Sequence, residues 1–208
     1  RAPGEKNCQW MLMKTDGHAC WDWNMHNHTA AIDFWRQIAD ANPDLILPQE
    51  FLIDNLLADR RADEAEKVLD YLSGLKNFKP VLRETYRAHI ALARFNEQEA
   101  DRIIENMLAE NPDNSDALFE AAQYYASKTD YDKAIACYEN AFECDERKPR
   151  FQDALMAISD IYRIMGDYQK AADTYDRIIT LLKEEWGMSE EVELKTAIDR
   201  KNALLAKL

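Results

Sequence analysis

Apolar residues recur every three or four positions along much of the chain, and the clearest stretch runs from Ser115 to Lys148. It contains two apolar stripes, one in each half: Leu118, Ala121, Ala122 and Tyr125, then Ala134, Ile135, Tyr138 and Ala141. This spacing is typical of amphipathic α-helices. The stretch therefore predicts two helices joined by a short turn at residues 128–130.

A small residue followed four positions later by a large one recurs at nearly constant intervals. The five pairs are Ala31 and Trp35, Ala65 and Leu69, Ala100 and Ile104, Ala134 and Tyr138, and Ala171 and Tyr175. The alanines are separated by 34, 35, 34 and 37 residues. Prolines, which stop helices because they lack an N–H group, stand between the units at Pro43, Pro80, Pro112 and Pro149. This period predicts a stack of helix pairs, since each pair has an apolar stripe that only a neighbouring pair can cover.

The last unit, residues 152–183, carries the most characteristic residues: Leu155, Ile158, Ser159, Tyr162, Gly166-Asp167-Tyr168, Ala171 and Tyr175. On these residues and the repeat period, the chain resembles the tetratricopeptide repeat family over approximately residues 30 to 183. The resemblance implies an all-α fold, a right-handed α-α superhelix or solenoid of about four to five helix pairs with a C-terminal capping helix. The front units depart from the pattern, with Ile53 in a small-residue slot and Glu84 and Arg87 where apolar residues are expected.

Residues 1–29 lack the period and predict an irregular N-terminal cap rich in tryptophan and histidine. A helix from about Asn7 to Lys14 and a shorter one from His18 to Asn24 are both compatible with the sequence. Five residues in this segment have side chains that bind zinc: Cys8, His18, Cys20, His26 and His28. Their spacing matches no zinc motif. We therefore favour packing of this segment against the first repeat, and predict neither a metal nor a cofactor.

The remaining boundaries place the repeats in residues 30–188 and a C-terminal capping helix in residues 189–208. Ser189 is the predicted N-cap of that helix, followed by an acidic first turn. The helix has a predicted apolar face made of Leu194, Ala197, Ile198, Leu204, Leu205 and Leu208.

Composition and charge exclude several classes of protein. The chain of 208 residues has 26 basic and 39 acidic residues and a formal net charge of −13, which argues against direct binding to nucleic acid or to an anionic membrane. No apolar run approaches the roughly 20 residues of a membrane-spanning helix. Four scattered cysteines predict no disulfide framework, and no signal peptide is recognisable, so we expect a cytoplasmic protein. The missing initiator Met suggests a fragment of a longer protein.

Catalytic motifs are not recognisable in the sequence. It has no nucleophile elbow, phosphate-binding loop, dinucleotide fingerprint or H-E-x-x-H segment. Acidic pairs such as Glu97 and Glu99 are typical of solvated helix faces. The sequence therefore predicts that the protein is not an enzyme.

The resemblance implies a concave groove, lined by the first helix of each pair, that binds an extended peptide or a helix. The positions that it places in the groove are Leu47, Glu50, Asp54, Leu57, Leu82, Thr85, His89, Leu92, Asp116, Phe119, Gln123, Ser127, Asp153, Met156, Asp160 and Arg163. The predicted partner contacts among them are Glu50, Asp54, His89, Asp116, Phe119, Gln123, Met156, Asp160 and Arg163. The lysine- and asparagine-rich clamp with which some family members bind a terminal carboxylate is absent. Because the acidic side chains attract cations, we expect a protein or peptide partner with basic residues and apolar anchors.

Two other functions are compatible with the sequence. The chain could be the peptide-sensing or regulatory half of a larger protein, such as a transcription regulator whose DNA-binding domain precedes Arg1. It could also form a weak homodimer or a homo-oligomeric scaffold through the tryptophan-rich N-terminus or the terminal helix. A groove that is unused, or filled by the capping helix, is a further alternative.

Overall fold

The computed structural model of the chain describes residues 28–144, 151–189 and 191–208. These residues form ten α-helices, and no β-strand occurs among them. In chain order the helices are α1 His28–Ala41, α2 Ile46–Ala58, α3 Ala62–Ser73, α4 Pro80–Ala93, α5 Glu97–Glu110, α6 Ser115–Ser127, α7 Tyr131–Cys144, α8 Phe151–Met165, α9 Tyr168–Glu184 and α10 Val192–Leu205. The all-α fold of successive helix pairs is thereby confirmed. The described residues separate into two compact units, one ending at Glu105 and the other beginning at Asn106.

Large apolar side chains form the core of the first unit. Trp35 of α1 is 3% exposed and stacks on Phe51 of α2, with their ring centroids 4.5 Å apart. Ile53 and Leu56 of α2 are completely buried in the same cluster, together with Leu72 of α3. Ile53 is therefore a core residue in the slot where the later pairs carry a smaller side chain.

In the second unit, small residues lie where paired helices approach each other closely. Ala171 of α9 is completely buried and Ser159 of α8 is nearly so. The Ser159 hydroxyl donates a hydrogen bond to the backbone carbonyl of Ala171 across 2.9 Å. Ala122 and Ala134 hold the corresponding positions in α6 and α7, and both are completely buried. The repeated small residue is thus a packing requirement, because a larger side chain would separate the two helices.

The turn within each helix pair has the same backbone conformation. One residue of each turn has a positive φ: 60° at Arg60, 59° at Phe95, 62° at Thr129 and 82° at Gly166. The residue after it donates its N–H to a carbonyl five positions earlier in all four turns: Arg61 to Leu56, Asn96 to Ala91, Asp130 to Tyr125 and Asp167 to Tyr162. This is the Schellman geometry of a helix C-terminus. The backbone therefore repeats with the period of the sequence, and the turn expected at residues 128–130 is confirmed.

We expect the substitution Thr129→Gly to stabilise the protein by roughly 0.5–1 kcal/mol, because glycine adopts a positive φ without the steric cost of a β-branched residue. The reciprocal change, Gly166→Ala, should destabilise it by about 1 kcal/mol. An added Cβ at Gly166 would meet no atom within 4 Å, so the cost there is purely conformational. Urea unfolding followed by circular dichroism measures both changes. If both substitutions changed the free energy of unfolding in the same direction, the result would contradict the shared turn geometry.

Helix α10 begins later than the sequence predicts. Ser189 is not its N-cap: the helix starts at Val192 with Glu191 at the N-cap, and the backbone N–H of Ser189 donates to the Glu191 carboxylate across 2.6 Å. Leu194, Ala197 and Leu204 are buried, as the predicted apolar face requires. Leu205 and Leu208, which were assigned to that face, are instead 37% and 70% exposed, and Leu208 lies beyond the end of the helix.

Candidate functional site

Three of the predicted partner contacts lie in the first unit. Glu50 and Asp54 belong to α2, and His89 belongs to α4. Burial raises the pKa of the Glu50 carboxyl above its ordinary value and lowers the pKa of the His89 imidazole, because a surrounding of low polarity disfavours the charged form of each group. Asp54 is exposed. Glu50 and His89 are therefore poorer charged contacts than their sequence positions indicate.

On α6, the three predicted contacts differ in exposure. The half-buried ring of Phe119 meets the ring of Tyr138 on α7 edge-on, with centroids 5.3 Å apart. Asp116 in the first turn is also half-buried, whereas Gln123 is exposed. Burial together with the charge of Glu120 raises the pKa of Tyr138 to about 12. Phe119 thus contributes to packing between α6 and α7, and only part of its ring is available to a partner.

The last three predicted contacts, Met156, Asp160 and Arg163, line one cleft between α8, α9 and α10. This cleft, which we call the α8–α10 cleft, has a volume of about 440 Å³, within the range of protein pockets that bind ligands. Its other lining residues are Ser159, Tyr175, Arg200, Ala203, Leu204 and Lys207. The three predicted side chains come together because residues three and four positions apart share one helix face.

Contacts with α9 show how α8 and α10 form the two walls of the cleft. Ser159 of α8 lies beside Ala171 of α9. On the other wall, Arg200 reaches Tyr175, and the Lys207 ammonium lies 5.4 Å from the centre of the Tyr168 ring. From Arg200 to Lys207, the contacts therefore move back along α9 from Tyr175 to Tyr168. Helix α10 runs antiparallel to α9 and parallel to α8.

The α8–α10 cleft carries three cations and one carboxylate among its lining residues. Arg163 forms an ion pair with Asp160 at 3.1 Å. Arg200 donates instead to neutral acceptors, the Tyr175 hydroxyl at 3.4 Å and the Met156 sulfur at 3.8 Å. Lys207 is the third cation. The expectation of an acidic lining therefore does not describe this cleft, since two positive charges remain when Asp160 is paired.

Arg200 and Lys207 were not among the predicted contacts, because the terminal helix was expected only to cover the last helix pair. A partial signal was present, since Arg200 and Leu204 are four positions apart and so share one face of α10, and Lys207 follows in the turn after the helix. Their orientation toward α8 depends on how α10 packs on α9, which the sequence alone does not fix.

A second cleft lies in the first unit, between α3, α4 and α5, with a volume of about 380 Å³. Its cations are already paired: Arg94 contacts Asp63 and Glu66 at 2.6 Å each, and Arg87 contacts Glu84 at 2.8 Å. The hydrogen bonds that Arg94 donates to the carboxylates of Glu66 and Asp63 raise the pKa of its guanidinium above the ordinary value. These networks leave little uncompensated charge for a ligand.

Metal-binding and membrane-spanning features were sought in the described part of the chain. No group of three potential metal ligands occurs among those residues, and no helix there combines the length and hydrophobicity needed to cross a bilayer. The side chains of the cysteine and histidine constellation near the N-terminus lie outside the described residues. Burial raises the pKa of the Cys137 thiol, which disfavours a reactive thiolate at that position.

Solved structures of low sequence identity resemble the chain. One is a crystal structure of MamA protein, with 18% identity and a TM-score of 0.44, covering 90% of this chain and 99% of that chain. Another is a crystal structure of BtubC from P. vanneervenii, with 14% identity and a TM-score of 0.47, covering 89% of this chain and 91% of that chain. No curated protein sequence matches the chain.

Residues 119–184 match the model of the tetratricopeptide repeat family. The match begins within α6 and ends at the last residue of α9, so it includes two of the turns with positive φ and all of α8. The resemblance to the tetratricopeptide repeat family that the sequence predicts is therefore confirmed over residues 119–184.

Proposed function

We propose that the protein is a non-catalytic protein–protein interaction module that binds a peptide segment in the α8–α10 cleft. Tetratricopeptide repeats are scaffolds for protein interaction, which supports this class of function over an enzyme. The observation that carries the proposal is the cleft itself, which joins three predicted contacts to an apolar floor. The assignments of Glu50, Asp54 and His89 in the first unit stay predictions.

An apolar anchor of the peptide would rest on Met156, Leu204 and Tyr175. Leu204 and Tyr175 are 6% and 7% exposed, so they present a firm surface, whereas Met156 is half-buried. The unbranched methionine side chain adapts to ligands of different shape. Removing an apolar anchor from water favours binding by roughly 1.5–3 kcal/mol when burial is complete.

Basic residues of the peptide would pair with the acidic start of the repeat helices. Asp116 lies in the first turn of α6 and Asp153 in the first turn of α8. Asp153 is exposed, so its carboxylate is accessible to a lysine or arginine. Complementary charge increases the association rate and selects among partners that carry equivalent apolar anchors.

A library of random nonamer peptides displayed on phage, selected on the full chain, tests this function. We expect enrichment of sequences with an apolar residue close to lysine or arginine. Met156→Gln keeps the length of the side chain but places a polar amide in the floor of the cleft, where the anchor would desolvate it. A selected peptide, made synthetically, should bind this variant about tenfold more weakly in fluorescence anisotropy.

Met165→Gln is the matched control, because Met165 is on the same helix, 51% exposed and outside the cleft lining. It should retain the affinity of the unmodified protein. Failure of the library to enrich any sequence, or equal affinities for the two variants, would contradict binding in the cleft.

A further inference from the structure

The guanidinium of Arg200 spans the α8–α10 cleft without a carboxylate partner in the described part of the chain. Its contacts are the Met156 sulfur on α8 and the Tyr175 hydroxyl on α9. The 3.4 Å distance to the Tyr175 hydroxyl is long for a donor that forms charge-assisted bonds near 2.8 Å with a carboxylate, and the thioether sulfur, at 3.8 Å, is only a weak acceptor. Arg200 is thus held in position by weak neutral contacts, with most of its five N–H donors uncommitted.

Two acidic groups, one on α8 and one on α9, are paired with other cations. Asp160 pairs with Arg163 at 3.1 Å, and Asp176 pairs with Lys201 at 2.5 Å. Lys207, one turn beyond Leu204, adds a second positive charge to the same wall of the cleft, where its ammonium lies over the ring of Tyr168. This concentration of positive charge stands out in a chain with a net charge of −13.

We propose that α10 and the turn that follows it select the ligand, with Arg200 and Lys207 binding the side-chain carboxylate of an aspartate or glutamate in the docked peptide. The proposal rests on the proposed function, because it concerns the same cleft and the same peptide. It adds an acidic residue to a ligand for which the sequence indicates only basic and apolar residues. Charge complementarity is the argument: the forked guanidinium matches a carboxylate, and no carboxylate among the described residues is paired with it.

The orientation of the helices gives the ligand a polarity. Because α8 and α10 are parallel, Asp153 and Glu193 lie at one end of the cleft walls, and Arg163 and Lys207 lie at the other. A peptide in the cleft therefore carries its basic residues toward the first turns and its acidic residue toward Arg200 and Lys207.

Charge reversal tests this inference. The same phage-displayed nonamer library, whose peptides have no free C-terminus, is selected on the unmodified chain and on Arg200→Glu. The unmodified chain should enrich aspartate or glutamate at a fixed spacing from the apolar anchor, and Arg200→Glu should enrich lysine or arginine at that position. A synthetic peptide carrying the selected glutamate should lose about tenfold or more in affinity for Arg200→Glu, and its lysine counterpart should bind the variant better than it binds the unmodified chain.

Lys195→Glu provides the matched control, since Lys195 is an exposed residue of α10 outside the cleft lining and the change in charge is the same. It should leave the selected sequences unchanged. If circular dichroism shows that Arg200→Glu is unfolded, Lys207→Glu, at an exposed position, takes its place. If the library enriches an apolar anchor without an acidic residue, or enriches the same acidic residue on Arg200→Glu, the role of α10 is wrong. The proposed binding in the cleft would still stand in both cases. Absence of any enrichment on the unmodified chain would overturn the proposed function and this inference with it.

Discussion

Replacing Ile158 by alanine is expected to lower the free energy of unfolding by about 2–5 kcal/mol. Ile158 lies in the middle of α8 and is completely buried, so the substitution removes packed apolar atoms and leaves a cavity. The removed atoms no longer contribute the free energy of transfer from water to the core, and their neighbours lose van der Waals contacts. Both losses destabilise the folded protein. Urea unfolding followed by the helical circular dichroism signal measures the change through the shift of the midpoint.

Ile164→Ala is the control for this substitution, because it removes the same atoms from the same helix at a side chain that is 59% exposed. Its effect should stay within about 0.5 kcal/mol. Comparable losses for Ile158→Ala and Ile164→Ala would mean that α8 does not present the apolar face described above. The pair thus tests the orientation of the helix that supplies one wall of the α8–α10 cleft.

Enlarging Ala171 to leucine should destabilise the protein by about 1–3 kcal/mol. Ala171 is completely buried, and its carbonyl receives the hydrogen bond from Ser159. A leucine there cannot be accommodated unless α8 and α9 separate, which would also lengthen that hydrogen bond. Thermal and urea unfolding of the variant give the size of the effect.

The same enlargement at Ala136, an exposed position of α7, should change the stability by less than about 0.5 kcal/mol. Alanine and leucine both favour helix, so propensity contributes little to either result. If Ala171→Leu were as harmless as Ala136→Leu, the repeated small residue would have no role in holding the pairs together. The regular spacing of alanines would then need another explanation.

Periodicity located the repeated elements well because each is fixed by local requirements. Ala134 and Ala171 lie five residues after Thr129 and Gly166, which adopt the positive φ of their turns. The start of α10 was less predictable, since three consecutive residues, Ser189, Glu190 and Glu191, all suit a helix N-terminus. Residue type alone therefore does not decide which of them becomes the N-cap.

The part of the candidate site that lies on one helix was predictable from the sequence. The part that depends on how two helices pack was not. Met156, Asp160 and Arg163 could be grouped from their spacing along α8. The pairing of Asp160 with Arg163 was also within reach of the sequence, as an i,i+3 ion pair. Arg200 and Lys207 enter the cleft only through the tertiary position of α10, so the positive wall could not be derived from the pattern of residues alone.

Binding of a peptide between α8 and α10 is the central claim about function, and amide chemical-shift mapping tests it most directly. A nonamer selected on the unmodified chain is titrated into ¹⁵N-labelled protein. Saturable shifts should concentrate at the amides around Met156, Arg163, Arg200 and Leu204, while those of the exposed face of α7, including Ala136, stay in place. Shifts confined to α7, or to residues distant from both cleft walls, would contradict the account.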